Sequence, residues 1–72
     1  MGWNYKLTKK QIEGLKFLEE NGGEVNQELA DEKIHWRTQH SLYLKLLTDN
    51  IATGRGLKMK LNKRGYDALN AL

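Results

Sequence analysis

The chain contains no cysteine, so neither a disulfide nor a thiolate-held zinc ion can staple it, an absence that suits a reducing cytosol. It contains no proline either and no low-complexity run, so nothing marks a linker, and its 72 residues are read as a single domain spanning 1–72. A domain this small buries only about 60% of the surface that its unfolded chain exposes, and its stability must come from well-packed helices or from self-association. No apolar run approaches the roughly 20 residues of a membrane-spanning helix. The start, Met1-Gly2-Trp3-Asn4-Tyr5-Lys6, lacks the basic-then-apolar layout of a signal peptide. The expectation is a soluble, cytoplasmic protein with no membrane partner.

Catalytic signatures are missing as well. There is no general acid–base pair, nucleophile arrangement or phosphate loop, and Glu19-Glu20-Asn21-Gly22-Gly23-Glu24 lacks the alternating oxygen ligands of a calcium loop. His35 and His40 would stand about 140° apart on a helix, which argues against a shared metal. No enzyme activity, cofactor or metal is expected.

The chain does carry a charge gradient. Residues 1–24 balance four lysines with four glutamates, residues 25–35 sum to −2, and residues 36–72 set seven basic side chains against two acidic ones, a net of +5. A basic carboxy-terminal half suits a polyanionic partner, although it equally serves as a solvated surface.

The elements are set by local signals. Leu7-Thr8-Lys9-Lys10-Gln11-Ile12 reads as a capping box, with Thr8 and Gln11 satisfying each other's backbone and Leu7 and Ile12 forming a hydrophobic staple. Ile12, Leu15, Phe17 and Leu18 give the first helix its inward stripe, and Asn21-Gly22-Gly23 ends it. A short extended Glu24-Val25-Asn26 leads into a second helix capped by Asn26 and running to about Lys33. A third helix is expected from Trp36 to Asp49, closed by Asn50 in the left-handed conformation, with Gln39, Tyr43, Leu46, Leu47 and Asn50 inward. Ile51-Ala52-Thr53, the turn Gly54-Arg55-Gly56, and the alternating Leu57-Lys58-Met59-Lys60-Leu61 predict a hairpin with Leu57, Met59 and Leu61 buried. Asn62 caps a last helix, with Leu61 and Tyr66 as staple and Leu69 and Leu72 facing in.

From Thr38 onward the sequence resembles the recognition helices of MarR-type and ArsR-type repressors, T-V-x-x-x-L-x-x-L-x-x-x-G-L, with Tyr43 and Leu46 at the core leucines, Asn50 at the glycine and Ile51 at the first strand residue. Leu61-Asn62-Lys63-Arg64-Gly65 is similar to the L-T-x-x-G that opens their last helix, and Leu7-Thr8-Lys9-Lys10-Gln11 to the L-T-x-x-Q of their first. The resemblance covers nearly the whole chain. It implies an α+β winged helix-turn-helix, with a three-helix core, a β-hairpin wing and a C-terminal helix. Gln39 departs from the family's buried valine, Trp36 being expected to supply the missing core volume, and Lys33-Ile34-His35-Trp36 lacks the glycine common in the turn before the recognition helix.

The resemblance implies that the third helix enters a DNA major groove, and the function it suggests is that of a small transcriptional regulator or accessory DNA-binding factor. On this reading Arg37, Thr38, His40, Ser41 and Lys45 form the outer face and flank of that helix, and Arg55, Lys58 and Lys60 belong to the wing. Arg55, between two glycines, suits phosphates or a narrow minor groove, whereas outward Lys58 and Lys60 can also serve to guard an exposed strand edge. The alternative is a winged-helix adaptor that docks a protein through exposed Leu44. Trp3, Tyr5 and Leu7 alternate before the first helix, either as an arm over the core or as a dimer surface.

Overall fold

Each helix begins where a polar side chain can accept from its first free backbone N–H groups. The computed structural model describes residues 6–72, so Trp3 and Tyr5 lie outside the described residues. Thr8 Oγ1 accepts from the Gln11 N–H at 3.2 Å and Gln11 Oε1 from the Thr8 N–H at 2.8 Å, completing the expected capping box ahead of α1 (Lys9–Glu20). Asn26 Oδ1 accepts from the Leu29 N–H at the head of α2 (Gln27–Lys33), and Asn62 Oδ1 from the Gly65 N–H at the head of α4 (Lys63–Asn70). α1 stops in a Schellman motif. The Gly23 N–H donates to Leu18 O and the Gly22 N–H to Glu19 O, with φ of 84° at Gly22 and 95° at Gly23.

The remaining elements are β1 (Glu24–Asn26), α3 (Trp36–Leu44), β2 (Thr48–Thr53) and β3 (Gly56–Leu61). The described residues are therefore α+β, four helices with a three-stranded antiparallel sheet in the order β1-β3-β2. Val25 of β1 faces Met59 of β3, and Thr48 of β2 faces Leu61. These side chains share the sheet's inner face with the core of Leu15, Leu18, Ala30, Ile34, Leu42, Leu47 and Ala68. Met59 and Leu61 are buried as expected, but Leu57, on the same side of the strand, is about half exposed near the tip of the hairpin. Leu69 packs against the core, while Leu72, expected inside, is exposed.

The largest departure from expectation is the end of α3, which stops at Leu44 instead of Asp49. The cause is a second Schellman motif. The Leu46 N–H donates to Tyr43 O at 2.9 Å and the Leu47 N–H to Leu42 O at 3.1 Å, while Leu46 takes the left-handed conformation with φ 62°. Leu42 and Leu47 are both fully buried, forming the apolar contact that accompanies such a cap. Asn50, expected as the cap, lies instead in β2 opposite Met59. Ending the helix early also goes with a change in part of the expected facing. Gln39 and Leu47 turn inward as expected, whereas Tyr43 and Leu46 do not. Tyr43 and Leu46 are 48% and 58% exposed, and the buried leucine of α3 is Leu42.

Leu47 also anchors the last helix. Its carbonyl accepts from the Asn62 N–H at 3.3 Å, and a Cβ at Gly65 would collide with that same carbonyl and with Leu61 Cδ2. Glycine at 65 is thus required by the close approach of α4 to the end of α3.

Gln39 carries the junction of α2 and α3. Its Nε2 donates to Ile34 O at 2.8 Å, Asp31 Oδ1 at 3.1 Å and Ala30 O at 3.3 Å, and its Oε1 accepts from Gln27 Nε2 at 2.7 Å. These bonds explain the polar residue at a position expected to be apolar. Trp36 supplies no core volume in exchange, being 64% exposed. The turn needs no glycine, because Ile34 takes ordinary extended angles, φ −128° and ψ 120°.

Both of these junctions can be tested by stability measurements. Leu46→Gly removes the left-handed penalty of a branched residue at little loss of packing, and it should raise the unfolding free energy by about 1 kcal/mol in a dilute denaturant titration. Gln39→Leu should lower it by roughly 1–3 kcal/mol, since the half-buried carbonyls at the junction lose their donor. A neutral result for Gln39→Leu would mean that water replaces those bonds without loss.

Candidate nucleic-acid interface

Nine residues make α3 about 13 Å long at 1.5 Å per residue, roughly the width of a DNA major groove. One side of it is committed internally. Leu42 is buried, Gln39 reaches back to α2, and Ser41 Oγ accepts from Gln11 Nε2 at 2.9 Å while donating to Thr38 O at 2.8 Å. Gln11 is itself buried, so the capping box of α1 is bonded directly to α3. Thr38 lines a crevice of about 100 Å³ with Lys10, Glu13, Gly14 and Ile34. Thr38 and Ser41, expected on the outer face, are therefore half-buried residues turned toward α1.

The face left open is formed by Trp36, Arg37, His40, Tyr43 and Leu44, with Lys45 at the cap. Positions i, i+4, i+7 and i+8 make this one continuous stripe. At its start His35 caps the helix, its Nδ1 accepting from the Arg37 N–H at 3.1 Å. The His35 ring stacks on Trp36 with centroids 5.8 Å apart, and the Arg37 guanidinium lies 5.4 Å from the centre of the Trp36 ring. Arg37 is thus held by a cation–π contact that leaves its donors available in the plane of the fork. Among the four helices of the described residues α3 alone carries no aspartate or glutamate.

The hairpin closes through the two residues Gly54 and Arg55, with Thr53 paired to Gly56. Thr53 Oγ1 accepts from the Arg55 N–H at 3.1 Å and donates to Gly56 O at 2.8 Å, so Arg55 is exposed on a braced turn. The two lysines behind it are less available than the alternation suggested. Lys58 Nζ donates to Glu24 Oε2 at 2.9 Å. Lys60 stands directly between Glu24 of β1 and Asp49 of β2 in the sheet register. Two cations and two carboxylates on that outer face sum to zero. The Lys58 hydrogen bond first, then its charge, hold the Glu24 carboxyl below its ordinary range, against an opposing effect of desolvation, and Lys60 adds to the lowering. The pair is therefore intact above the ordinary carboxylate range and is released only as the pH falls through that lowered value. Asp31 is lowered likewise, by hydrogen bonds from Gln27 and then Gln39, which ties it to the α2–α3 junction.

The structure thus sets Arg37 and His40 on the open face of α3 with Lys45 at its far cap, sets Arg55 apart on the hairpin tip, withdraws Thr38 and Ser41, and places Lys58 and Lys60 among acids. Trp36 and Tyr43 were not expected on the open face. Their spacing from His40 and Leu44 carries that signal, provided that the helix is ended at its true position. Among the described residues no helix is long and apolar enough to cross a membrane. No family model, curated protein or solved structure matches the chain.

Proposed function

We propose that this chain is a winged-helix domain that binds double-stranded DNA, as a small transcriptional regulator or accessory factor of the cytoplasm, and that it works by binding and not by catalysis. The element order and the β1-β3-β2 sheet support the winged-helix reading. The observation that carries the functional reading is the acid-free open face of α3, the one helix surface among the described residues that brings no carboxylate to a phosphate backbone. On this reading the amino-terminal half of α3, with Arg37 and His40, enters the major groove, and Arg55 touches the backbone beside it.

A protein-docking adaptor is the second reading, favoured by the large apolar side chains Trp36, Tyr43, Leu44 and Leu46 exposed on and beside α3. The two differ in their response to salt. Affinity for duplex DNA falls steeply as salt rises, whereas apolar docking does not.

Three substitutions test the DNA reading by fluorescence anisotropy on duplexes at several salt concentrations. Arg55→Ala should weaken binding to all duplexes alike and reduce the salt slope by about one unit. Arg37→Ala should reduce discrimination between sequences by roughly 1–3 kcal/mol if its guanidinium grips a guanine in two places. Glu24→Gln frees Lys58 from its carboxylate and should leave binding equal or stronger, with a salt slope steeper by up to about one unit. Affinity untouched by all three would remove both the hairpin and α3 from the interface.

A further inference from the structure

Leu46 is an outlier twice over. It is the one non-glycine among the described residues with positive φ, and its side chain is more than half exposed. A glycine would close the same Schellman motif without strain, so the fold gains nothing from a leucine there. Strain held at an exposed apolar side chain points to a use outside the monomer. Leu46 lies beside Tyr43 and Leu44, and the three offer on the order of 300 Å² of apolar surface, a size at which patches on monomers are often functional.

We propose that this patch, at the carboxy-terminal end of α3, is the contact between two copies of this chain. The charges around it select that occupant. Lys45 precedes Leu46 at the helix cap, and Asp49 lies beyond it on β2, both exposed. Asn62 Nδ2 donates to Leu46 O at 2.8 Å and reaches Asp49 Oδ1 at 3.5 Å, which fixes the carboxylate close to the Leu46 backbone. An apolar centre with one cation and one anion beside it is self-complementary under a two-fold axis, because Lys45 of each copy can meet Asp49 of the other. A purely acidic or purely basic partner would meet a like charge on one flank. The contact is small, so the dimer is weak and concentration-dependent instead of obligate. It leaves Arg37 and His40, at the other end of α3, uncovered, and it does not depend on DNA binding.

Sedimentation equilibrium of the full chain from micromolar to millimolar concentration tests the contact. The parent should dimerise reversibly. Leu46→Gly should weaken the dimer by roughly tenfold or more, while the same variant gains thermal stability in dilute solution, a pairing that loss of folding cannot produce. Lys45→Glu and Asp49→Lys should each weaken association, and the double variant should restore it. Both side chains are exposed, and circular dichroism should show all the variants folded. A parent that stays monomeric at millimolar concentration, a dimer indifferent to Leu46→Gly, or a double variant no tighter than the single ones would overturn the proposal.

Discussion

The return of Leu47 to the core immediately after α3 constrains the rest of the molecule. For Leu47 to pack on Leu42, the chain must reverse within one residue, and only a left-handed residue at 46 achieves this with both amide bonds made. The reversal starts β2 at Thr48, which sets the register of the hairpin and hence the position of Arg55 at its tip. The Leu47 carbonyl also receives the first turn of α4, where glycine at 65 is the residue that fits. A small chain without cysteine, and so without a disulfide staple, gains its order from such shared contacts, because each one fixes two elements at once.

The same reversal decides which side chains α3 presents outward. The longer helix expected from the sequence has Tyr43 and Leu46 inward and Thr38 and Ser41 outward. The shorter one commits Ser41 to Gln11 and opens Trp36, Arg37, His40, Tyr43 and Leu44. The surface therefore has two halves of different character, a cationic, aromatic start and an apolar end. Basic residues elsewhere in the carboxy-terminal half do not simply add to this surface, since Lys58 is bonded to Glu24 and Lys60 is flanked by carboxylates. The +5 balance of that half, summed over residues 36–72, overstates the charge available at any one face.

Much of the fold was legible in the sequence where a residue carries its own local chemistry. Thr8, Gln11, Asn26 and Asn62 announce helix starts because their side chains make the capping bonds themselves, and Gly22-Gly23 announces a stop because glycine tolerates positive φ. Met59 and Leu61 are legible from strand alternation. The end of α3 was hidden because a leucine occupies the left-handed position, where sequence reasoning looks for glycine or asparagine and so passes on to Asn50. One misplaced boundary then carried the wrong inward face with it, and with it Thr38 and Ser41 of the candidate site. Gln39 was visible as an anomaly, yet its reason was not, since its partners Ala30, Asp31 and Ile34 are assembled only by the fold. The acidic neighbours of Lys58 and Lys60 were equally out of reach, because Glu24 and Asp49 come beside them only through strand pairing.

If the amino-terminal half of α3 and the hairpin tip together form a surface for duplex DNA, both must respond when DNA is added. An amide-shift titration of the labelled chain with a random-sequence duplex at two salt concentrations measures this directly. Shifts should concentrate at His35 to His40 and around Arg55, large at low salt and strongly reduced at high salt. No shift at either salt concentration, or salt-insensitive shifts confined to Tyr43 to Leu46, would contradict the proposed surface.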